Sequence, residues 1–477
     1  MMKRIIGVTV FLFLFVVSVR ADIRLPSIIG SNMVLQQKLA NPIWGWADAG
    51  EEVTVTINGQ IKTVKTGNDG KWSVVLDPQE VGGPFTLTIK GKNELTLENV
   101  MVGEVWLASG QSNMQWNVQN STNSGNDIKQ ANFPDLRLIT VPNVSKTTPQ
   151  DDFNGKWEPC TPQNVPGFSA VAFFFGRKLH QDLKVPVGLI HCSWGGSSCE
   201  TWINPEVVAK IPEFAPITER RVVFEKEKPE GGGNQMVGYL YNGMIRPVLG
   251  YGIRGAIWYQ GETNAGRAYQ YRTLFPTMIQ NWRNEWKQGD FPFYWVQLAN
   301  FMATKNNPDQ SNWAELREAQ SMTRSLKNTG EAVIIDIGET KDIHPRNKQD
   351  VGYRLAVLTL KYDYGKEIPC ESPRYKSATF DNGKAILKFD FVYDGLISRG
   401  AVPAGFAIAG EDKIFHWAVA EITEKDTVIV YSPKVTHPIA VRYGWADNPV
   451  VTLYNSANLP LNPFRTDDWQ GLTVNNR

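Results

Sequence analysis

One serine of this chain stands in the setting that nucleophilic chemistry needs. The apolar, β-prone run 102–108 ends in Gly110-Gln111-Ser112-Asn113, a tetrapeptide suited to a tight turn. A serine leaving a central strand presents its hydroxyl and the surrounding N–H groups to a crevice beside the sheet. Its oxygen becomes a good nucleophile only when a base takes the proton, and histidine is the usual base. The chain has five histidines. His180 falls in an expected amphipathic helix, His191 at a strand end, and His416 and His437 in a β-rich C-terminal stretch; all four read as structural. His344, in Lys341-Asp342-Ile343-His344-Pro345, is the candidate base. Asp342, two residues earlier, orients and stabilises the imidazole if the backbone turns there. Spacing alone leaves that open.

Two further segments follow apolar strands and offer hydrogen-bond donors. In Ser193-Trp194-Gly195-Gly196-Ser197 the paired glycines let the backbone approach a ligand closely. In Trp258-Tyr259-Gln260-Gly261-Glu262-Thr263-Asn264 the asparagine amide is a neutral donor suited to a developing oxyanion, and Glu262 either orients polar groups or is solvated.

These residues need elements to hold them. Strands are expected at 102–108, 136–141, 187–192, 256–259, 293–298 and 332–337, alternating with helices at 169–183, 271–286, 312–326 and 348–360. That alternation predicts a parallel α/β sheet over 100–365, with ligands at the C-terminal strand ends. The charged, then glycine-rich stretch 225–233 reads as a loop or insertion. Residues 22–99 read as a small β-sandwich of short strands, with a hairpin at Asn58-Gly59. A second β-rich region covers 366–477.

The 477 residues, 42% hydrophobic and 20% charged, suit a globular protein of several domains. Lys3 and Arg4 precede an apolar run, 5–19, that ends at Val19-Arg20-Ala21, so residues 1–21 read as a signal peptide and the protein as exported, to periplasm or medium. The run is shorter than a membrane span. Cleavage leaves 46 basic against 48 acidic side chains, which gives no electrostatic case for nucleic acid or a membrane surface. Cys160, Cys192, Cys199 and Cys370 match no zinc spacing. They form one or two disulfides, with Cys192–Cys199 closing a small loop, or stay buried thiols.

Taken together, Gly110-Gln111-Ser112-Asn113-Met114, Trp194-Gly195-Gly196, the 258–264 segment and Asp342-Ile343-His344-Pro345 resemble the SGNH (GDSL-like) hydrolases, specifically the sialate O-acetylesterase family. Leu240-Tyr241-Asn242-Gly243-Met244-Ile245, Arg317-Glu318-Ala319-Gln320 and Asn462-Pro463-Phe464-Arg465-Thr466-Asp467 look similar too. The resemblance implies a three-layer parallel sheet with β-rich flanks and a cofactor-free serine esterase that removes O-acetyl groups from sugars, sialic acids above all. By motif, Ser112 is the nucleophile, His344 the base and Asp342 its orienter. The oxyanion hole would use Ser112, Gly196 and Asn264, with Gly195 and Gln260 as alternates. Many such hydrolases place the acid three residues before the histidine; here the spacing is two. Deacetylation of xylan or another plant glycan is the second reading, and a non-catalytic carbohydrate-binding protein the third. Oligomeric state is not legible.

Overall fold

The computed structural model describes residues 22–228 and 232–477. The expected signal peptide, 1–21, lies outside the described residues, as do 229–231 of the expected loop.

The site is carried by a seven-stranded sheet: β1 (Glu94–Gly110), β2 (Phe133–Thr140), β3 (Glu158–Cys160), β4 (Val187–Ser193), β5 (Gly255–Tyr259), β6 (Phe293–Val296) and β7 (Thr329–Ala332). Their order is β7-β6-β5-β1-β4-β2-β3, and every pair is parallel except β2 with β3. The strands read as near-continuous apolar runs because both faces are covered. Alternation then sends neighbours to opposite cores: Leu107, Trp258 and Trp295 to one side, Trp106, Ala108, Tyr259 and Tyr294 to the other.

Four helices cover the faces: α1 (Ala170–Leu183), α2 (Ala268–Trp286), α3 (Asn312–Met322) and α4 (Lys348–Tyr362). Helices α1 and α4 pack together on one face, α2 and α3 on the other. Ser169 caps α1 by accepting the Ala172 N–H at 3.2 Å. This is a three-layer α/β fold.

Strand β1 is 17 residues long. Its first half pairs with Gly82–Lys90 in the N-terminal β region, and its second half is the centre of the α/β sheet. Residue 99, read as a domain edge, therefore lies inside one strand, and a continuous core joins the two regions. The expected hairpin is present, with Asn58 at φ 46° and Gly59 at φ 78°. The C-terminal β region has its own core around Leu387, Phe406, Val428 and Val441.

Two expectations are corrected. The seventh ladder is Thr329–Ala332, not 332–337; the apolar run beyond it is buried but irregular. Residues 225–227, read as loop, close the helix Ala215–Glu227. Of the two readings of the cysteines, the structure has the buried thiols: Cys192 and Cys199 are not bridged, and all four cysteines are free and buried. The Cys192 thiol faces the Met244 carbonyl at 3.6 Å and the Cys199 thiol the Met278 sulfur at 3.8 Å.

Candidate active site

Ser112 opens a one-turn helix, Ser112–Gln115, directly after β1. The turn depends on Gly110, at φ 140°, where a Cβ would stand 2.1 Å from the Tyr259 carbonyl oxygen of the adjacent strand. The Gln111 N–H donates to that same carbonyl at 3.0 Å and the Trp194 N–H to the Gly110 carbonyl at 3.1 Å. Neighbouring strands thus clamp the turn from both sides.

The loop after β7 brings His344 across to it. The His344 Nε2 lies 2.9 Å from the Ser112 Oγ. Its Nδ1 lies 3.3 Å from the Asp342 Oδ1, and the same oxygen accepts the His344 backbone N–H at 2.9 Å. The backbone does turn at Ile343, so two-residue spacing reaches the imidazole. With Nδ1–H directed at Asp342, Nε2 is left to accept the serine proton. Burial, with help from the Lys348 cation and against the pull of Asp342, holds the His344 pKa below its usual 6.5. A base needs that neutral form at pH 7.

Around this pair lie groups that motif reading left aside. Trp116 stacks on the imidazole, with ring centroids 5.3 Å apart and planes 16° apart. Asn113 donates to Glu262 at 2.6 Å and to the Ile343 carbonyl at 3.0 Å, and accepts from the Lys348 ammonium at 2.5 Å. One carboxamide therefore ties the serine turn to the histidine loop. Lys348 is fully buried and burial lowers its pKa to about 7, with Glu262, Asp342 and Glu339 opposing. Burial also raises the Glu262 pKa. Glu262 is thus not a solvated turn residue. Lys348 was detectable: it stands on the inward face of α4 with Val351, Gly352 and Leu355, at i, i+3, i+4 and i+7.

The expected oxyanion donors separate into two groups. The Ser112 and Gly196 N–H groups have no partner among the described residues, and Gly196 sits in a left-handed turn at φ 73°. The Gly195 N–H is occupied, donating to the Gln115 Oε1 at 2.8 Å. Asn264 and Gln260 are turned into the core. The Asn264 amide donates to Glu200 at 3.0 Å and its oxygen accepts from Cys199 and Gln260 at 2.8 and 2.7 Å. Gln260 also spans Ser197 and the Tyr271 hydroxyl. The reason is the turn Glu262–Arg267, which aims Asn264 at the buried Glu200–Arg267 ion pair. His191, read as structural, is buried and lies 2.6 Å from the Ser193 hydroxyl. Among the described residues no cluster of three metal-ligating side chains occurs.

A serine at the C-terminal end of a central parallel strand, hydrogen-bonded to a neutral histidine and flanked by unused N–H groups, is an arrangement chemically suited to acyl transfer on a three-layer α/β fold. Comparison with known proteins gives the family. Residues 102–357 match the model for carbohydrate esterase, sialic acid-specific acetylesterase. Human sialate O-acetylesterase is 30% identical over 92% of this chain and 92% of its own, and the mouse protein 29% identical over 92% and 94%. The crystal structure of a carbohydrate acetylesterase from Xanthomonas citri superposes with TM-score 0.86 at 40% identity, covering 94% of this chain and all of that one. The chain belongs to the sialic acid-specific acetylesterase family of carbohydrate esterases and is a carboxylic ester hydrolase.

Proposed function

We propose that the protein removes O-acetyl groups from sugars, O-acetylated sialic acids first among them, with Ser112 as nucleophile, His344 as general base and Asp342 as its orienter. The observation that carries the assignment is the 2.9 Å contact between Ser112 and a histidine held neutral at pH 7. Ser112 attacks the acetyl carbonyl while His344 Nε2 takes its proton. The tetrahedral oxyanion forms against the Ser112 and Gly196 N–H groups. As the intermediate collapses and the acyl C–O bond to the sugar breaks, His344 returns the proton to the departing sugar oxygen, which leaves as the free hydroxyl, and water, activated by the same imidazole, hydrolyses the acetyl-enzyme to acetate and free Ser112. Asp342 stabilises the imidazolium in both steps. Each backbone donor contributes about 3 kcal/mol at the transition state.

The substrate reading is supported by the family and by the curated relatives at 29–30% identity. A second reading, deacetylation of an acetylated carbohydrate other than sialic acid, such as a plant polysaccharide, is supported only at the level of carbohydrate deacetylation by the Xanthomonas carbohydrate acetylesterase, which is similar at 40% identity. Acetate release from 9-O-acetylated sialic acid and from acetylated xylo-oligosaccharide, in wild type beside Ser112→Ala, decides between them. Serine-dependent release from sialic acid supports the first reading, and release from xylan alone replaces it with the second. Ser112→Ala and His344→Ala each lower kcat by roughly 10⁴-fold or more without unfolding the protein. Near-wild-type turnover in either would sink the assignment.

Export follows from Lys3, Arg4 and the apolar run before Ala21. Expression of the full chain in a Gram-negative host is expected to give a mature N-terminus at Asp22 by mass spectrometry; retention of residues 1–21 in the recovered enzyme overturns it.

A further inference from the structure

We propose that the C-terminal β region carries a sugar-binding subsite, built around Trp417, that holds the glycan chain bearing the ester. It rests on the carbohydrate-esterase reading above and adds that the substrate is an oligosaccharide rather than a free sugar.

Trp417 lies in the short strand His416–Trp417, paired with Phe406–Ala409. It is 41% exposed, so part of the indole is open to a ligand. It is also fixed: its indole N–H donates to the Asn306 carbonyl at 2.6 Å. Asn306 belongs to the loop that follows β6. Strands β1, β5 and β6 are adjacent and parallel, so this loop leaves the sheet at the same end as Ser112, about 10 Å away at sheet level. Farther out, Asn448 of the C-terminal region donates to Thr340 on the loop that carries His344. The β region therefore flanks the reacting end of the sheet.

Beside Trp417 opens a cavity of about 240 Å³, bordered by Phe415, Trp445, Arg442, Gln310 and Lys413. Its donors are set in place. The Arg442 guanidinium is forked onto Asp467 at 2.8 Å through two nitrogens and lies over the Phe415 and Trp445 rings at 4.3 and 4.9 Å. Its third nitrogen holds the Gln310 Oε1 at 3.1 Å, which leaves the Gln310 NH₂ without a partner among the described residues. Trp445 is 7% exposed and adds a second indole to the lining.

A sugar ring matches this combination. Its C–H face meets the negative face of an indole, and its hydroxyl edge meets fixed N–H donors. The aromatic surface and the donors lie together in one cavity, away from the hydrolytic pair.

The test is acetate-release kinetics on an acetylated oligosaccharide and on 4-nitrophenyl acetate, with wild type, Trp417→Ala and Trp417→Phe, together with calorimetric binding of the deacetylated oligosaccharide to Ser112→Ala with and without Trp417→Ala. The expected result is a KM for the oligosaccharide about tenfold higher in Trp417→Ala, with kcat and 4-nitrophenyl acetate hydrolysis unchanged and Trp417→Phe in between. Equal KM and equal binding in Trp417→Ala and wild type overturn the subsite. A Trp417-dependent change in oligomeric state without one in sugar binding also overturns it, assigning the surface to a protein contact. If no acetylated sugar is cleaved yet sugar binding still depends on Trp417, the subsite stands and the esterase reading fails.

Discussion

At the scale of single residues, the site is an arrangement of few charges with strong consequences. His344 faces Asp342 on its own loop, Trp116 from the serine turn, and Lys348 from α4, while Lys348 in turn faces Glu262 and Glu339. His344 must be neutral to accept the serine proton, so kcat/KM falls as pH drops through its pKa, which lies below 6.5. In that range Lys348, with a pKa of about 7, is mostly protonated and disfavours the imidazolium. Removing the charge lets His344 protonate more easily. Lys348→Met is therefore expected to shift the acid limb of kcat/KM to higher pH, and a limb that stays in place would show that the cation is not felt at the imidazole. The same substitution strips the Asn113 oxygen of its donor, so kcat falls as well through a looser serine turn. Asp342→Ala is expected to cost less than Ser112→Ala, measured as kcat on one ester, because Trp116 and the loop still place the ring.

At the scale of elements, the strand-to-turn junction is the least forgiving position. Gly110→Ala adds a methyl 2.1 Å from the Tyr259 carbonyl oxygen and forces a φ of 140° on an alanine. Strain and overlap together predict a loss of about 3 kcal/mol by urea denaturation, with activity lost too as the serine turn shifts. This junction was legible because an apolar run ending in Gly-Gln-Ser-Asn is both a pattern and a physical necessity. The sheet was legible for the same reason: parallel strands covered on both faces read as apolar runs. Where pattern and fold part, the cause is specific. Val333, Ile334 and Ile335 are buried without being in a ladder, so apolarity placed the last strand too late. The helix Ala215–Glu227 buries only Ile217 and carries charge nearly all round, so no periodicity announced it. Asn264 shows the limit at side-chain level, since motif spacing places a backbone but not the buried Glu200 toward which its amide turns.

At the scale of the whole molecule, several stretches that resemble the family outside the reacting residues prove to be joints. Glu318 of Arg317-Glu318-Ala319-Gln320 receives Arg272 and Arg465, Gln320 ties the Leu298 N–H to the Gln260 carbonyl, and Asn462 meets Gln297 and Glu331. Arg317 is the centre of this seam. It is fully buried, faces no carboxylate within ion-pair distance among the described residues, and is satisfied by backbone carbonyls instead. Its guanidinium donates to Leu298 and Ala299 of the α/β region at 2.9 Å each, and to Ala446 and Asp447 of the C-terminal region at 2.7 and 2.9 Å. Burial lowers its pKa to about 9, still charged at neutral pH. Arg317→Met keeps the length and apolar stem but leaves the Leu298 and Ala446 carbonyls without a donor, one on each side of the seam, while Ala299 keeps the Trp313 indole N–H and Asp447 the Phe301 N–H. Each of the two stranded carbonyls costs roughly 1–2 kcal/mol, so a total loss of about 3 kcal/mol is expected by denaturant unfolding. Because the lost bonds join two regions, the damage should not be uniform. Hydrogen exchange at 440–448 and at 298–302 should accelerate well before that of β1 and β4, whose ladders Arg317 does not touch. The 297–311 loop that meets Trp417 runs through this seam, so the same variant should weaken oligosaccharide binding more than hydrolysis of a small ester. Uniform acceleration across the chain would instead make Arg317 an ordinary core residue, with no part in joining the β region to the hydrolase.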